Sequence, residues 1–166
     1  PICDSDFWCL NRLREKFSSS NINNCKFLNC YLSGLILGKD NIELCDFSGS
    51  DIRDSKFQSS NLLTNQFNKC SFIDAQFFKT NIEKCDFCAA DFSGAEILES
   101  NLESNTLLDI VWKFTKFLNT NISNITFTGT FEDCHFEHCT FYGVKFENAT
   151  ILNSFFKYNE RFKKVQ

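Results

Sequence analysis

The chain has no methionine among its 166 residues, one proline and two histidines. With Pro1 leading, the missing methionine suggests a processed chain or an excised domain. No apolar run reaches the roughly 18 residues of a membrane-spanning helix, and the start carries no signal-peptide pattern. No membrane association is therefore expected. A glycine-rich phosphate loop is also absent, which removes the nucleotide-binding motifs that rely on one. So is any basic excess: net charge is −4, and residues 21–156 hold 17 acidic against 10 basic side chains. Such a surface disfavours nucleic-acid phosphates, so direct nucleic-acid binding is not expected. The length suits one domain.

Phenylalanine, with 21 residues, and cysteine, with 10, are abundant. A large apolar residue stands at every fifth position, from Ile22, Phe27, Leu32, Leu37 and Ile42 onward to Phe127. After one step of four the series resumes as Phe131, Phe136, Phe141, Phe146, Ile151 and Phe156, which makes 28 centre positions without a polar residue. A period of five matches neither a helix nor a flat strand, so it describes a repeat architecture. The residue two before each centre is mostly small, as at Cys25, Cys30, Ser50, Ala75, Ala90 and Ala95. One large and one small inward residue per five suit a narrow tube whose flat sides each take one pentapeptide. The other three positions are mostly polar and face water.

A second period, of twenty, shows that four pentapeptides make one coil. Asn21, Asn41, Asn61, Asn81, Asn101 and Asn121 form one track, and Phe27, Phe47, Phe67 and Phe87 another. Stacked strands lie ~4.8 Å apart, so seven coils make a rod roughly 34 Å long. Phenylalanine rings then stack in offset fashion, and outward asparagine amides bond along a ladder.

The segments CDFSGSDIRDSKF (45–57) and CDFCAADFSGAEI (85–97) resemble the pentapeptide-repeat family, whose consensus is a small residue, Asp or Asn, Leu or Phe, and two variable residues. The resemblance covers about residues 20–156. It implies an all-β fold, a right-handed quadrilateral β-helix of about seven coils. Three regions are expected: an N-terminal helical cap (1–19), the β-helix (20–156) and a C-terminal cap or tail (157–166). Ser5 would cap the helix with Asp6 in its first turn. Phe7, Leu10, Leu13 and Phe17 would share one face of it, with Trp8 beside them.

Three departures stand out. Leu35 and Asp40 occupy small slots, and a buried unpaired carboxylate is expensive. That corner is expected to bulge outward and let Asp40 reach water or a backbone amide. The short step before Phe131 places Gly129 in a tight turn. Ile110 and Ile125 overfill their slots, which predicts a wider tube there.

Chemistry is poorly supplied. Seven cysteines (Cys25, Cys30, Cys45, Cys70, Cys85, Cys134 and Cys139) fall in small inward slots, where cysteine behaves as a buried hydrophobe. Reduced thiols, and so a reducing compartment, are expected. CHFEHC (134–139) looks like a zinc cluster, but the repeat sends Cys134 and Cys139 inward and His135 and His138 outward. In CDFC (85–88), Cys85 points in and Cys88 out. No nucleophile stands beside the histidines, and Asp46, Asp51, Asp86 and Asp91 read as a solvated acidic face. No metal, cofactor or catalysis is expected.

Some outward positions are apolar. Phe78, Leu98 and Leu118 stack on one track, and Leu108, Val111 and Phe114 lie on the fifth coil. Together they form a candidate partner-binding patch. The expected function is a non-catalytic protein-interaction module or scaffold, cytoplasmic, and one domain of a larger protein such as a bacterial effector. The family resemblance implies an alternative, a DNA mimic that binds DNA gyrase or topoisomerase IV and protects it from quinolones or peptide toxins. Lys56, Lys69, Lys79, Lys84 and Lys116 interrupt the acidic strip that such a mimic needs. Known mimics also tend to dimerise through an apolar C-terminal end, whereas this chain finishes in RFKKVQ.

Overall fold

The computed structural model describes residues 2–3 and 16–162, with side chains from 17 to 161. These residues form a parallel β-solenoid, a right-handed quadrilateral β-helix. The first face is a nine-stranded sheet that starts with Ile2–Cys3 and Asn21–Asn23 and ends with Thr140–Tyr142 and Glu160–Phe162. The fourth face is an eight-stranded sheet running from Lys16–Ser18 to Phe155–Lys157. The second and third faces are held by single bridges, such as Asp46 to Gln66 and Asp51 to Ser71. They end in a three-stranded sheet of Trp112–Lys113, Thr126–Glu132 and Lys145–Leu152.

Residues 4–15, where the capping helix is expected, lie outside the described residues. Lys16–Ser18 is a strand, so Phe17 stands in register with Leu37 and not on the end of a helix. Ile2 likewise pairs with Ile22, twenty residues on. At the other end Glu160–Phe162 pairs with Thr140–Tyr142. The ladders therefore continue into both segments expected as caps.

The five-residue period has a backbone cause. The residue two after each centre turns the corner in the left-handed region, and the non-glycine ones have φ from 47° to 60°. One such residue in five rotates the chain by one face of the square. Most are polar or small, but Leu44, Phe114 and Tyr158 are bulky.

The centres fill the lumen as aromatic columns. Phe27, Phe47, Phe67 and Phe87 stack with ring centroids 4.7, 5.1 and 5.0 Å apart. Phe57 stacks on Phe77 at 4.7 Å and Phe72 on Phe92 at 5.0 Å. Trp112 lies between Phe92 at 5.2 Å and Phe131 at 5.5 Å. On the outside of the first face, the six asparagines from Asn21 to Asn121 donate amide to amide at 2.6–2.9 Å.

The small slots prove to be of two kinds. Before the third and fourth faces Cys30 N–H and Cys134 N–H donate to Ser50 Oγ and Ser154 Oγ on the next coil, but in several corners the slot's own N–H is satisfied by a turn, as in Ala75 to Phe72, Ala90 to Phe87 and Ala95 to Phe92. Alanine suffices there. Before the first and second faces the slot's N–H points at the next coil and finds a side chain. Cys45 N–H donates to Asn65 Oδ1, Cys85 N–H to Asn105 Oδ1 and Thr80 N–H to Ser100 Oγ. The same side chains donate to carbonyls one coil below, Asn65 Nδ2 to Ile42 O and Asn105 Nδ2 to Ile82 O. Buried backbone groups without a partner are costly, so most of these corners carry Ser, Thr, Cys, Asn or Asp, with Ile125 and Val144 as exceptions.

This arrangement corrects the expected bulge. Asp40 is fully buried, and the strand Ile36–Gly38 keeps register with Lys16–Ser18 and Lys56–Gln58. Its Oδ1 accepts the Ser20 N–H and its Oδ2 the Gly38 N–H, both at 2.7 Å. The carboxylate reaches backbone amides without leaving the corner, because that corner is built to supply them. Leu35 is also buried, in a corner of the alanine kind. At the short step, Gly129 has φ 86° and Thr126–Glu132 runs as one strand through the corner. Ile110 and Ile125 are buried inside the tube.

Candidate interaction surface and open end

The fourth face positions the first half of the candidate patch. Phe78, Leu98 and Leu118 are partners in adjacent strands, so their side chains form a three-rung ladder along the rod. All three are half-buried. The ladder is bounded by Gln58 below and Glu137 above. Lys79 lies 5.0 Å from the Phe78 ring centroid and pairs with Glu99 at 3.7 Å, so an ion pair edges the apolar strip.

The second half is a belt around the fifth coil. Leu108 ends the second face, Val111 begins the third, and Phe114 turns the corner into the fourth; all three are exposed. The six residues thus divide between one face and the coil that carries Leu118. Phe114 is the most informative of the belt. It is 56% exposed and holds φ 54°, a conformation that bulky side chains avoid. The corner neither buries nor needs its ring, yet it keeps a residue that strains it.

Chemistry at the corners is muted. Burial pushes the Cys45 and Cys70 thiols up to about 12 and those of Cys85 and Cys139 to about 11. Cys85 is buried and Cys88 half-buried, and Cys134 and Cys139 are buried while His138 is exposed. Among the described residues no group of His, Cys, Asp and Glu is placed to hold a metal ion. The raised thiols make a prediction. In the unfolded chain such thiols ionise near 9.0, so the folded state gains from them below that pH and loses the gain as pH climbs towards 12. Urea midpoints should stay level up to about pH 9 and fall steadily above it.

Sequence reasoning missed the last coil. Ile151 and Phe156 occupy centre positions but are 45% and 41% exposed, because no described coil lies above them. Phe156 also lines a cavity of about 350 Å³, together with Phe141, Val144, Phe146 and Arg161 among others. The signal was present in the sequence, since counting five beyond Phe156 reaches Arg161.

The fold defines a class: a parallel β-solenoid of four-sided coils. The family model described as pentapeptide repeats (8 copies) matches residues 70–104, and over that stretch the chain resembles pentapeptide-repeat proteins. Among solved structures it is similar to QnrB1, described as a plasmid-mediated fluoroquinolone resistance protein. That likeness has 16% identity, covers 90% of this chain and 91% of that chain, and has a TM-score of 0.55. Rfr23, a pentapeptide-repeat protein from the cyanobacterium Cyanothece 51142, matches with 14% identity over 71% of this chain and 88% of that one, at a TM-score of 0.41. At such identities the likeness concerns the fold. No curated protein matches the chain in sequence. No described helix is long and apolar enough to cross a membrane.

Proposed function

We propose that the chain is a non-catalytic protein-interaction module, a rigid rod that docks a protein partner on its fourth face and fifth coil. The observation that carries this reading is the in-register ladder of Phe78, Leu98 and Leu118. Outward positions of a solenoid are free to be polar, and three large apolar rungs in succession keep apolar surface in water at a cost in solubility. The strained, exposed Phe114 supports the same reading, since strain without a packing reward concentrates at working surfaces.

Capture from host extract on the immobilised protein tests it. Leu98→Asp with Leu118→Asp should abolish a specific catch. Phe114→Asn should weaken it while raising thermal stability, because asparagine tolerates the left-handed corner. A catch unchanged by all three substitutions, in proteins that remain folded, would sink the reading.

A second reading, a DNA mimic acting on gyrase, draws support from the shared fold with QnrB1 and from two acidic tracks. Asp46 and Asp86 lie on the second face, and Asp51 and Asp91 on the third. Magnitude places it second. A duplex as long as the rod, roughly 34 Å, carries about 20 phosphate charges, whereas residues 21–156 hold only 17 acidic side chains offset by 10 basic ones. A supercoiling assay with micromolar protein and no change in gyrase activity removes it.

A further inference from the structure

We propose, on the reading that the fourth-face ladder is the docking surface, that its partner is a second copy of this chain laid antiparallel against the first. The face carries its own complement. Its strands Gln76–Phe78, Glu96–Leu98, Lys116–Leu118 and His135–Glu137 pair without a register shift, so their outward residues form two straight columns. One column reads Gln76, Glu96, Lys116, His135, and the other Phe78, Leu98, Leu118, Glu137. An acid and a base thus occupy adjacent rows of one column, with a leucine beside each. Lys116 is exposed and Glu96 half-buried. Among the described residues neither forms an ion pair. All four strands lie within the rod, with described strands of the same sheet above and below them.

A two-fold interface requires that one residue meet a second while the second meets the first. Place the axis along the strand direction, midway between the rows of Glu96 and Lys116. Each column then meets its own image, inverted along the rod. Glu96 faces Lys116 of the second copy and Leu98 faces Leu118, and symmetry makes each contact twice. One row further out, Phe78 with the Lys79 ammonium 5.0 Å from its ring centroid faces Glu137, which sets a carboxylate near a cation. Neighbouring registers fail. With the axis on the row of Glu96 or of Lys116, like charges meet, and directly opposed like charges are costly. With the axis midway between the rows of Gln76 and Glu96, Lys116 meets Lys56. With the axis along the rod, Glu96 lands on Leu98 and Lys116 on Leu118, which desolvates both charges without pairing them. A surface shaped for an unrelated protein has no reason to complement itself in one register. Four strands ~4.8 Å apart give a contact of roughly 19 Å along the rod. Such a small interface makes a reversible dimer.

Sedimentation equilibrium of the 166-residue chain tests this, over concentrations from about 5 to about 500 µM. The chain should pass from monomer to dimer across that range. Glu96→Lys and Lys116→Glu should each weaken the dimer at least about tenfold, because each sets like charges in register. Both substitutions change outward side chains only, and circular dichroism checks that the variants are folded. Mixed in equal amounts, the two variants should form a heterodimer of wild-type strength, since one then presents two bases and the other two acids. A dimer indifferent to Glu96→Lys, or two variants that fail to combine, would overturn the proposal. A chain that stays monomeric throughout, while Leu98→Asp with Leu118→Asp abolishes its catch from extract, overturns the second copy as partner and leaves the docking surface standing. A catch and a dimer both unchanged by those two leucine substitutions overturn the surface itself.

Discussion

Phe72→Ala should lower the free energy of unfolding by about 3–5 kcal/mol, among the largest losses a single substitution in this tube can cause. Phe72 is fully buried. It stacks on Phe92 at 5.0 Å and meets Phe67, Phe87 and Phe77 at 5.4, 5.7 and 5.7 Å. Removing it deletes contacts with the coils on both sides and with adjacent faces of the lumen. The hole has little means of closing, because each coil's perimeter is fixed by left-handed corners and by parallel ladders to its neighbours. Residual cavity volume adds to the lost transfer energy. Phe156→Ala should cost far less, since that ring is half-exposed. Urea unfolding followed by far-ultraviolet circular dichroism, with Trp112 fluorescence as a second probe, measures both. A loss below about 1 kcal/mol for Phe72→Ala would mean that the tube collapses to refill its lumen.

The architecture was legible in the sequence because one geometric fact repeats without relief. Each pentapeptide must send one large residue inward and turn a corner, so the period survives in the identities of Ile22, Phe27, Leu32 and their successors. The Asn21 to Asn121 ladder was legible for the same reason, as identical residues twenty apart stack. The corners were only half legible. Size alone suggested that Ala and Ser interchange there, whereas the structure separates corners whose N–H is held by a turn from corners whose N–H is held by the next coil. That difference lies in backbone direction, which residue volume does not report, and it made a bulge look necessary for Asp40 when two amides already await it inside the corner.

The candidate surface was legible residue by residue but not in its grouping. The track Phe78, Leu98, Leu118 follows directly from the twenty-residue period. The placement of Leu108, Val111 and Phe114 around two corners depends on where each face of the fifth coil begins. The strain at Phe114 was visible only in the backbone, because position two after a centre takes the left-handed conformation throughout the tube. The same rod rigidity that makes Phe72 irreplaceable serves docking, since a surface that does not rearrange gives up little conformational entropy on binding.

Asn65→Leu is expected to cost about 2–4 kcal/mol, although leucine has nearly the same volume and the site is fully buried. Apolar burial alone would score this change as favourable. The opposing effect is the backbone. Asn65 Oδ1 accepts the Cys45 N–H and its Nδ2 donates to Ile42 O, each at 2.9 Å. Leucine orphans one donor and one acceptor in a place water does not reach, at about 1–3 kcal/mol for each group. Asn65→Ser should retain most of the stability, because Ser50 in another corner both accepts from Cys30 N–H and donates to Phe27 O. Ala90→Ser provides the contrast. Its N–H already bonds to Phe87 O through the turn, so the added hydroxyl has no orphan to satisfy and the change should stay within about 1 kcal/mol. Chemical denaturation of the three variants decides the matter. Equal losses for Asn65→Leu and Ala90→Ser would show that the corners differ in size alone, and the division into two kinds of corner would have to be abandoned.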